Sequence, residues 1–109
     1  MFSRRVPKND KALLWTNHVI RKMAFYRLSE SRLKRVLRNP KRSELGVAPR
    51  TIALMQPESV SKKPSEVWLM YQRVGNKKRI ITAWRYPGKS PVREAIPIPH
   101  DIREELGFT

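Results

Sequence analysis

The chain has 109 residues, 39% of them hydrophobic, and sets 24 Lys and Arg against nine Asp and Glu for a formal net charge of +15. That length fits one domain and leaves no room for two, and the apolar content with three Trp supplies a core, so disorder throughout is excluded. The lack of cysteine rules out disulfides and thiolate metal sites, and no apolar stretch approaches the roughly 20 residues of a membrane span.

The opening MFSRRVPKND is basic but has no apolar run after it, so it does not read as a secretory signal, and a cytoplasmic location is expected. Residues 1–10 read as a flexible basic arm. Lys11 to Trp15 is a short first strand. Thr16 and Asn17 are both helix-capping types, and Val19, Ile20 and Met23 follow at helical spacing, which predicts a helix over about 17–27. Ser29 caps a second helix with Leu33, Val36 and Leu37 on its inner side, and Asn39-Pro40 ends it, because the residue before proline is driven out of the helical region.

Beyond this point the pattern changes to sheet. Thr51 to Gln56 is a strand between Pro49 and Pro57, and Glu58 to Ser65 has the composition of a loop. Glu66–Val74 and Lys77–Tyr86 are strands joined by Gly75-Asn76, a two-residue hairpin signal. The turn sets a register in which Val74 faces Lys77, Gln72 faces Arg79, Met70 faces Ile81 and Glu66 faces Arg85. Both sides of this hairpin are apolar at the middle, so it is central, with helices on one side. The row containing Trp68 and Met70 is the better candidate for a partly open, ligand-facing surface. Residues 88–109 form a Pro-rich tail with a short helix near Asp101 to Leu106. The expected architecture is α+β: an arm (1–10), a domain of two helices packed on a small antiparallel sheet (11–87), and the tail (88–109).

Charge is distributed unevenly along this frame. Residues 1–43 hold thirteen Lys and Arg against two acids, residues 70–93 hold seven against none, and from Glu94 onward acids outnumber bases. A positive face with an acidic tail able to fold back on part of it is the expectation. A polyanion relieves such self-repulsion by releasing its own counterions, so the charge points to nucleic acid, RNA before DNA. An acidic protein is the alternative partner.

The clearest binding element is the run Arg32 to Arg42. With Leu33, Val36 and Leu37 turned inward, Arg32, Lys34, Arg35 and Arg38 face solvent, followed by Lys41 and Arg42. Like charges three and four apart disfavour a helix by a few tenths of a kcal/mol each, which argues for an anion opposite. Lys77 and Lys78 at the hairpin tip are placed to reach backbone phosphates.

Candidates for chemistry are few. Without Cys and with only His18 and His100, a zinc or iron site lacks its usual ligands, and isolated glycines make no phosphate-cradling loop. No cofactor or metal is expected, so any phosphodiester cleavage would be metal-free: a base on the 2′-hydroxyl, an acid for the leaving oxygen, and fixed cations on the phosphate. His18, Arg79, Arg85 and Tyr86 are the candidate groups, with Tyr71 a further one that reads equally as core. Each has a bland alternative: helix-start hydrogen bonding for His18, a solvated strand end for Arg79, and an ion pair with Glu66 for Arg85.

The string WTNHVIRKMAFYRLSESRLKRVLRNPKR resembles the opening of a family of small bacterial domains. In that family a polar cap is followed by His, an Arg-Met pair, then a Ser-led helix ending in Asn-Pro. Here the matching residues are His18, Lys22-Met23, Leu28-Ser29 and Asn39-Pro40, with Lys22 and Tyr26 where the family commonly has Arg. The family is similar in turn to the RelE/ParE and BrnT toxins. The resemblance, over about residues 12–86, implies a RelE-like fold, a metal-independent endoribonuclease of toxin type, and an acidic antitoxin as partner. On it, Arg79 and Arg85 would hold the phosphate and His18 or Tyr86 would move the proton. A non-catalytic RNA- or DNA-binding module and an interaction protein for an acidic partner are the other two readings.

Overall fold

A computed structural model describes residues 6–60 and 62–107. Within them the elements run β1 (Leu13–Trp15), α1 (Asn17–Tyr26), α2 (Glu30–Arg38), β2 (Arg42–Leu45), β3 (Thr51–Val60), β4 (Lys63–Val74), β5 (Lys77–Pro87) and α3 (His100–Leu106). The fold is α+β, with one five-stranded sheet in the order β1-β5-β4-β3-β2. The sheet is mixed rather than purely antiparallel. β2 to β5 form an antiparallel meander, while β1 lies parallel to β5 at one edge. A parallel neighbour needs a long crossover, and everything between Trp15 and Lys77 supplies it.

The helix boundaries follow from their caps. Thr16 Oγ1 accepts from the Val19 amide at 3.1 Å and donates to the Ile80 and Ile81 carbonyls at 3.1 and 2.9 Å. One side chain thus starts α1 and ties it to β5. Arg27, at φ +58°, closes α1 in the left-handed conformation. Ser29 Oγ accepts from the Arg32 amide at 3.1 Å and starts α2, which Asn39-Pro40 ends.

The hairpin register holds from Val74–Lys77 to Tyr71–Ile80 and then shifts by one at a bulge that leaves Ile81 without a partner. Met70 therefore meets Thr82, Trp68 meets Trp84, and Glu66 meets Tyr86 rather than Arg85. The bulge keeps aromatic with aromatic. The Trp68 and Trp84 rings stack with centroids 5.8 Å apart and planes 5° from parallel.

Each face of the sheet has its own core. On one, Val19 and Met23 of α1 and Leu33 and Val36 of α2 pack on Leu54, Val67, Leu69, Tyr71, Ile80 and Ala83. On the other, Ile96, Ile98 and Ile102 cover Ala53, Met55, Trp68, Met70 and Trp84. The row expected to be open to a ligand is therefore closed by the C-terminal segment. Three buried isoleucines contribute roughly 1.5–3 kcal/mol each as an upper bound, so this segment is as much core as α2. Its entry is pinned by the buried Glu66 carboxylate, which accepts from Ser90 N at 3.1 Å, Ser90 Oγ at 2.6 Å and Trp68 Nε1 at 3.0 Å.

Three further expectations change. β2 had no counterpart among the elements expected from sequence. The predicted loop from Glu58 to Ser65 is largely strand, because β3 and β4 extend past Pro57 and Pro64 to a turn at Lys62, φ +65°. Among the described residues no strand flanks the outer side of β3 beyond Met55, so Pro57 sits at an edge where its missing N–H breaks no ladder. Of the predicted arm, residues 1–5 lie outside the described residues. The rest is held in place: Pro7 is buried, Asn9 Oδ1 accepts from the Trp15 amide at 2.7 Å, and Asp10 Oδ1 accepts from the Ala12 and Leu13 amides at 2.8 Å each.

Candidate nucleic-acid interface

The fold uses nearly all of its negative charge internally. Glu30 pairs with Lys34 at 2.8 Å, Glu44 with Arg42 at 2.8 Å, and Glu58 with Arg85 at 2.7 Å and Arg32 at 3.6 Å. Asp101 and Glu105 both hold Lys22, Glu66 holds Ser90 and Trp68, Glu104 faces His100, and Asp10 is bound to two amides. Only five Lys and Arg enter these ion pairs, so most of the 24 cations have no carboxylate partner among the described residues.

Six of them stand at the hairpin end of the sheet. Lys11 precedes β1, Lys77, Lys78 and Arg79 open β5, Arg73 closes β4, and Arg50 precedes β3. Ladder pairs place them side by side: Leu13 with Lys78, Leu14 with Arg79, Arg73 with Lys78, and Thr51 with Gln72. Four strands at about 4.8 Å spacing make this a row about 15 Å long. Lys78 Nζ lies 5.1 Å over the Tyr71 ring, and Arg79 donates to Gln72 Oε1 at 3.3 Å. Asp10 lies within the influence of this rim, and the Leu13 and Ala12 amides hold its carboxyl below the ordinary range, with Lys34 and Lys77 adding to the effect. Asp10 therefore marks where α2 meets the rim. Arg35 and Arg38 continue the positive surface along the outer side of α2, and Lys41 is exposed just beyond it.

The predicted binding residues thus divide. Lys77 and Lys78 stand on the rim, Lys34 borders it, and Arg35, Arg38 and Lys41 are exposed. Arg32 and Arg42 are occupied: Arg32 donates to Gln56 Oε1 and to the Pro57 carbonyl at 3.3 Å, and Arg42 donates to Ser90 Oγ at 2.7 Å with its guanidinium 5.1 Å from the Trp68 ring. The like-charge strain expected in α2 is relieved from within, since Lys34 has Glu30 and Arg32 has Glu58.

The four candidates for chemistry do not converge. Arg79 and Arg85 lie six residues apart on β5, about 20 Å along the strand, too far to share a phosphate. Arg85 is taken by Glu58 and by the Tyr26 carbonyl. Tyr86 is half-buried against the C-terminal segment, and Tyr71 is core. His18 is buried, with Nε2 2.9 Å from Thr82 Oγ1 and Nδ1 3.5 Å from Glu105. Burial lowers its pKa, outweighing the Glu105 carboxylate.

A cluster that the sequence did not reveal sits beside His18. Lys22 donates to Asp101 at 2.7 Å and to Glu105 at 2.5 Å, and Tyr26 donates to Asp101 at 2.8 Å. Burial alone would lower the Lys22 pKa, but the two carboxylates hold it above its ordinary value. Burial, with Asp101 beside it, pushes the Tyr26 phenol up. The available signal was spacing: His18, Lys22 and Tyr26 at i, i+4 and i+8, against Asp101 and Glu105 at i and i+4.

No protein-family model, curated protein or solved structure matches the chain. No helix among the described residues is long and apolar enough to cross a membrane.

Proposed function

We propose that the protein is an RNA-binding module that grips the phosphate backbone with the hairpin-end row Lys11, Arg73, Lys77, Lys78 and Arg79, extended by Arg35 and Arg38. The observation that carries this reading is the row of cations at the hairpin end, none of which has a carboxylate partner among the described residues. RNA is preferred to DNA on the resemblance of residues 12–86 to the RelE-related domains. The element order, a strand and two helices followed by an antiparallel meander, supports a RelE-like reading of the fold.

The rim suits contacts to phosphate rather than readout of bases. Sequence-selective RNA binding relies on exposed aromatics as stacking platforms, and Tyr71, the rim aromatic, is buried beneath Lys78. The test is a salt titration of RNA binding. Lys77→Ala/Lys78→Ala/Arg79→Ala lowers the slope of log K against log salt by about 0.7 for each phosphate that is no longer neutralised. Lys62→Ala/Lys63→Ala, at the opposite end of the sheet, leaves the slope unchanged. Equal effects from both sets overturn the assignment.

A toxin-type endoribonuclease is the second reading, favoured by His18 and Lys22 facing the same Glu105 carboxylate. Incubation with RNA in EDTA decides it: discrete products that vanish in His18→Ala add catalysis, and intact RNA with salt-sensitive binding leaves the module.

A further inference from the structure

α1 turns two hydrogen-bond donors, Lys22 and Tyr26, toward α3, while His18 is bonded through Nε2 to Thr82 of β5 and has Nδ1 3.5 Å from Glu105. Lys22 is the more telling of the two, because its side chain is 7% exposed and its ammonium is bound by the carboxylates of both Asp101 and Glu105. The Asp101 carboxylate is split between two donors, Oδ1 to the Tyr26 hydroxyl at 2.8 Å and Oδ2 to Lys22 at 2.7 Å. Glu105 completes the set, with Oε2 on Lys22 and Oε1 facing His18 Nδ1. The two non-bridging oxygens of a phosphodiester would meet Lys22 and Tyr26 as the Asp101 carboxylate does.

At the lip of this cluster stands Phe25, 68% exposed, edge-on to Tyr26 at 4.9 Å and 5.2 Å from Lys22 Nζ. An exposed phenyl ring beside a buried ammonium offers nothing to the core. It does offer a face on which a base can stack. Arg21, four residues earlier and exposed, flanks the same lip.

α3 is also the least anchored helix. It has seven residues and no side-chain cap, and Ile102 is its one fully buried side chain. The chain before it is held separately, by Ser90 on Glu66 and by Ile96 and Ile98. Release of α3 alone opens the cluster and leaves the second core half covered.

We propose that Lys22 and Tyr26 form a phosphate site for single-stranded RNA, distinct from the rim, and that Asp101 and Glu105 of α3 occupy it as an intramolecular competitor. Removing a competitor raises apparent affinity by the reciprocal of the fraction of sites it left free, tenfold where about a tenth were free. A plain structural staple predicts lost stability and no gain in binding.

The test uses the full chain carrying Lys77→Ala/Lys78→Ala/Arg79→Ala, so that the outcome does not depend on the rim. In that background Asp101→Asn/Glu105→Gln raises affinity for a fluorescent hexaribonucleotide about tenfold or more, and adding Lys22→Met abolishes the gain. The control Glu94→Gln/Glu104→Gln makes the same change in net charge and gives less than about a threefold gain. Equal gains from the two pairs, or a gain that survives Lys22→Met, overturn the proposal. If the variant does not fold, the ammonium signal of Lys22 is followed by NMR in the unaltered chain. A shift on adding the hexaribonucleotide, and a smaller one with inorganic phosphate, supports the site; no shift at saturation overturns it.

Discussion

Replacing Glu58 by Gln tests whether the cations near it belong to the fold or to a ligand. Glu58 accepts from Arg85 at 2.7 and 3.3 Å and from Ser65 Oγ at 3.2 Å, with Arg32 Nε at 3.6 Å, and the Arg85 contact is what chiefly holds its carboxyl below the ordinary range. The carboxamide keeps the shape but leaves two guanidiniums side by side without a counter-charge. Breaking a fully buried pair costs about 3–5 kcal/mol and a surface pair about 0–1. The side chains here are 16% (Glu58), 13% (Arg32) and 30% (Arg85) exposed, so a loss of about 2 kcal/mol is expected. For a domain of this size that lowers the melting temperature by about 10 °C. Urea unfolding followed by tryptophan fluorescence measures it, and a double-mutant cycle with Arg85→Met should return a coupling of about 1.5 kcal/mol. A coupling below about 0.5 kcal/mol would refute the reasoning and make Arg85 free to meet a phosphate.

Ile102→Ala should cost about 3 kcal/mol in the same assay, because it opens a cavity behind Trp84; a loss under about 1 kcal/mol would make α3 an appendage. Stability should fall on acidification in two stages. Burial depresses the folded pKa of His18, so the unfolded chain takes up its proton first as pH drops below about 6.5, and stability present above that point is lost. Asp101 and Glu58, also held low, extend the loss below about pH 4. His18→Gln should flatten the first stage alone in a pH series of urea midpoints. Gly46→Ala should be far worse than Gly75→Ala in thermal melts. A Cβ at Gly46 would lie 2.0 Å from Thr51 Oγ1, whereas Gly75, at φ +60°, has open space around it and costs only about 1 kcal/mol of backbone strain.

Local signals carried the fold as far as local chemistry reaches. Thr16, Ser29 and Asn39-Pro40 mark helix ends through their own backbone preferences, and Gly75-Asn76 sets the hairpin, so these were legible residue by residue. The bulge at Ile81 was not, because it is decided by the stacking of Trp68 on Trp84 across strands. Pro57 and Pro64 read as loop because a proline's edge position depends on where β2 begins, much earlier in the chain. The second core was hidden for a related reason. Ile96-Pro97-Ile98 has strand alternation but prolines that forbid a central ladder, and only tertiary packing shows it lying across a sheet face.

The site was legible in its total charge and not in its allocation. A basic run such as Arg32 to Arg42 gives its cations in order, yet which are spent depends on carboxylates that arrive later in the chain: Glu58 for Arg32, Glu44 and the Ser90 hydroxyl for Arg42. Subtracting those pairs moves the weight of the positive surface from the helix to the hairpin end, where residues 70–93 contain no acid to spend cations on. The same subtraction picks out Lys22. Its carboxylates come from the one segment where acids exceed bases, on a helix whose one fully buried side chain is Ile102. Charge pairs that join the sheet to its helices fasten the fold, whereas the pairs joining α1 to α3 fasten only α3. An anion that competes for α1 therefore has to displace one short helix and not the sheet beneath it.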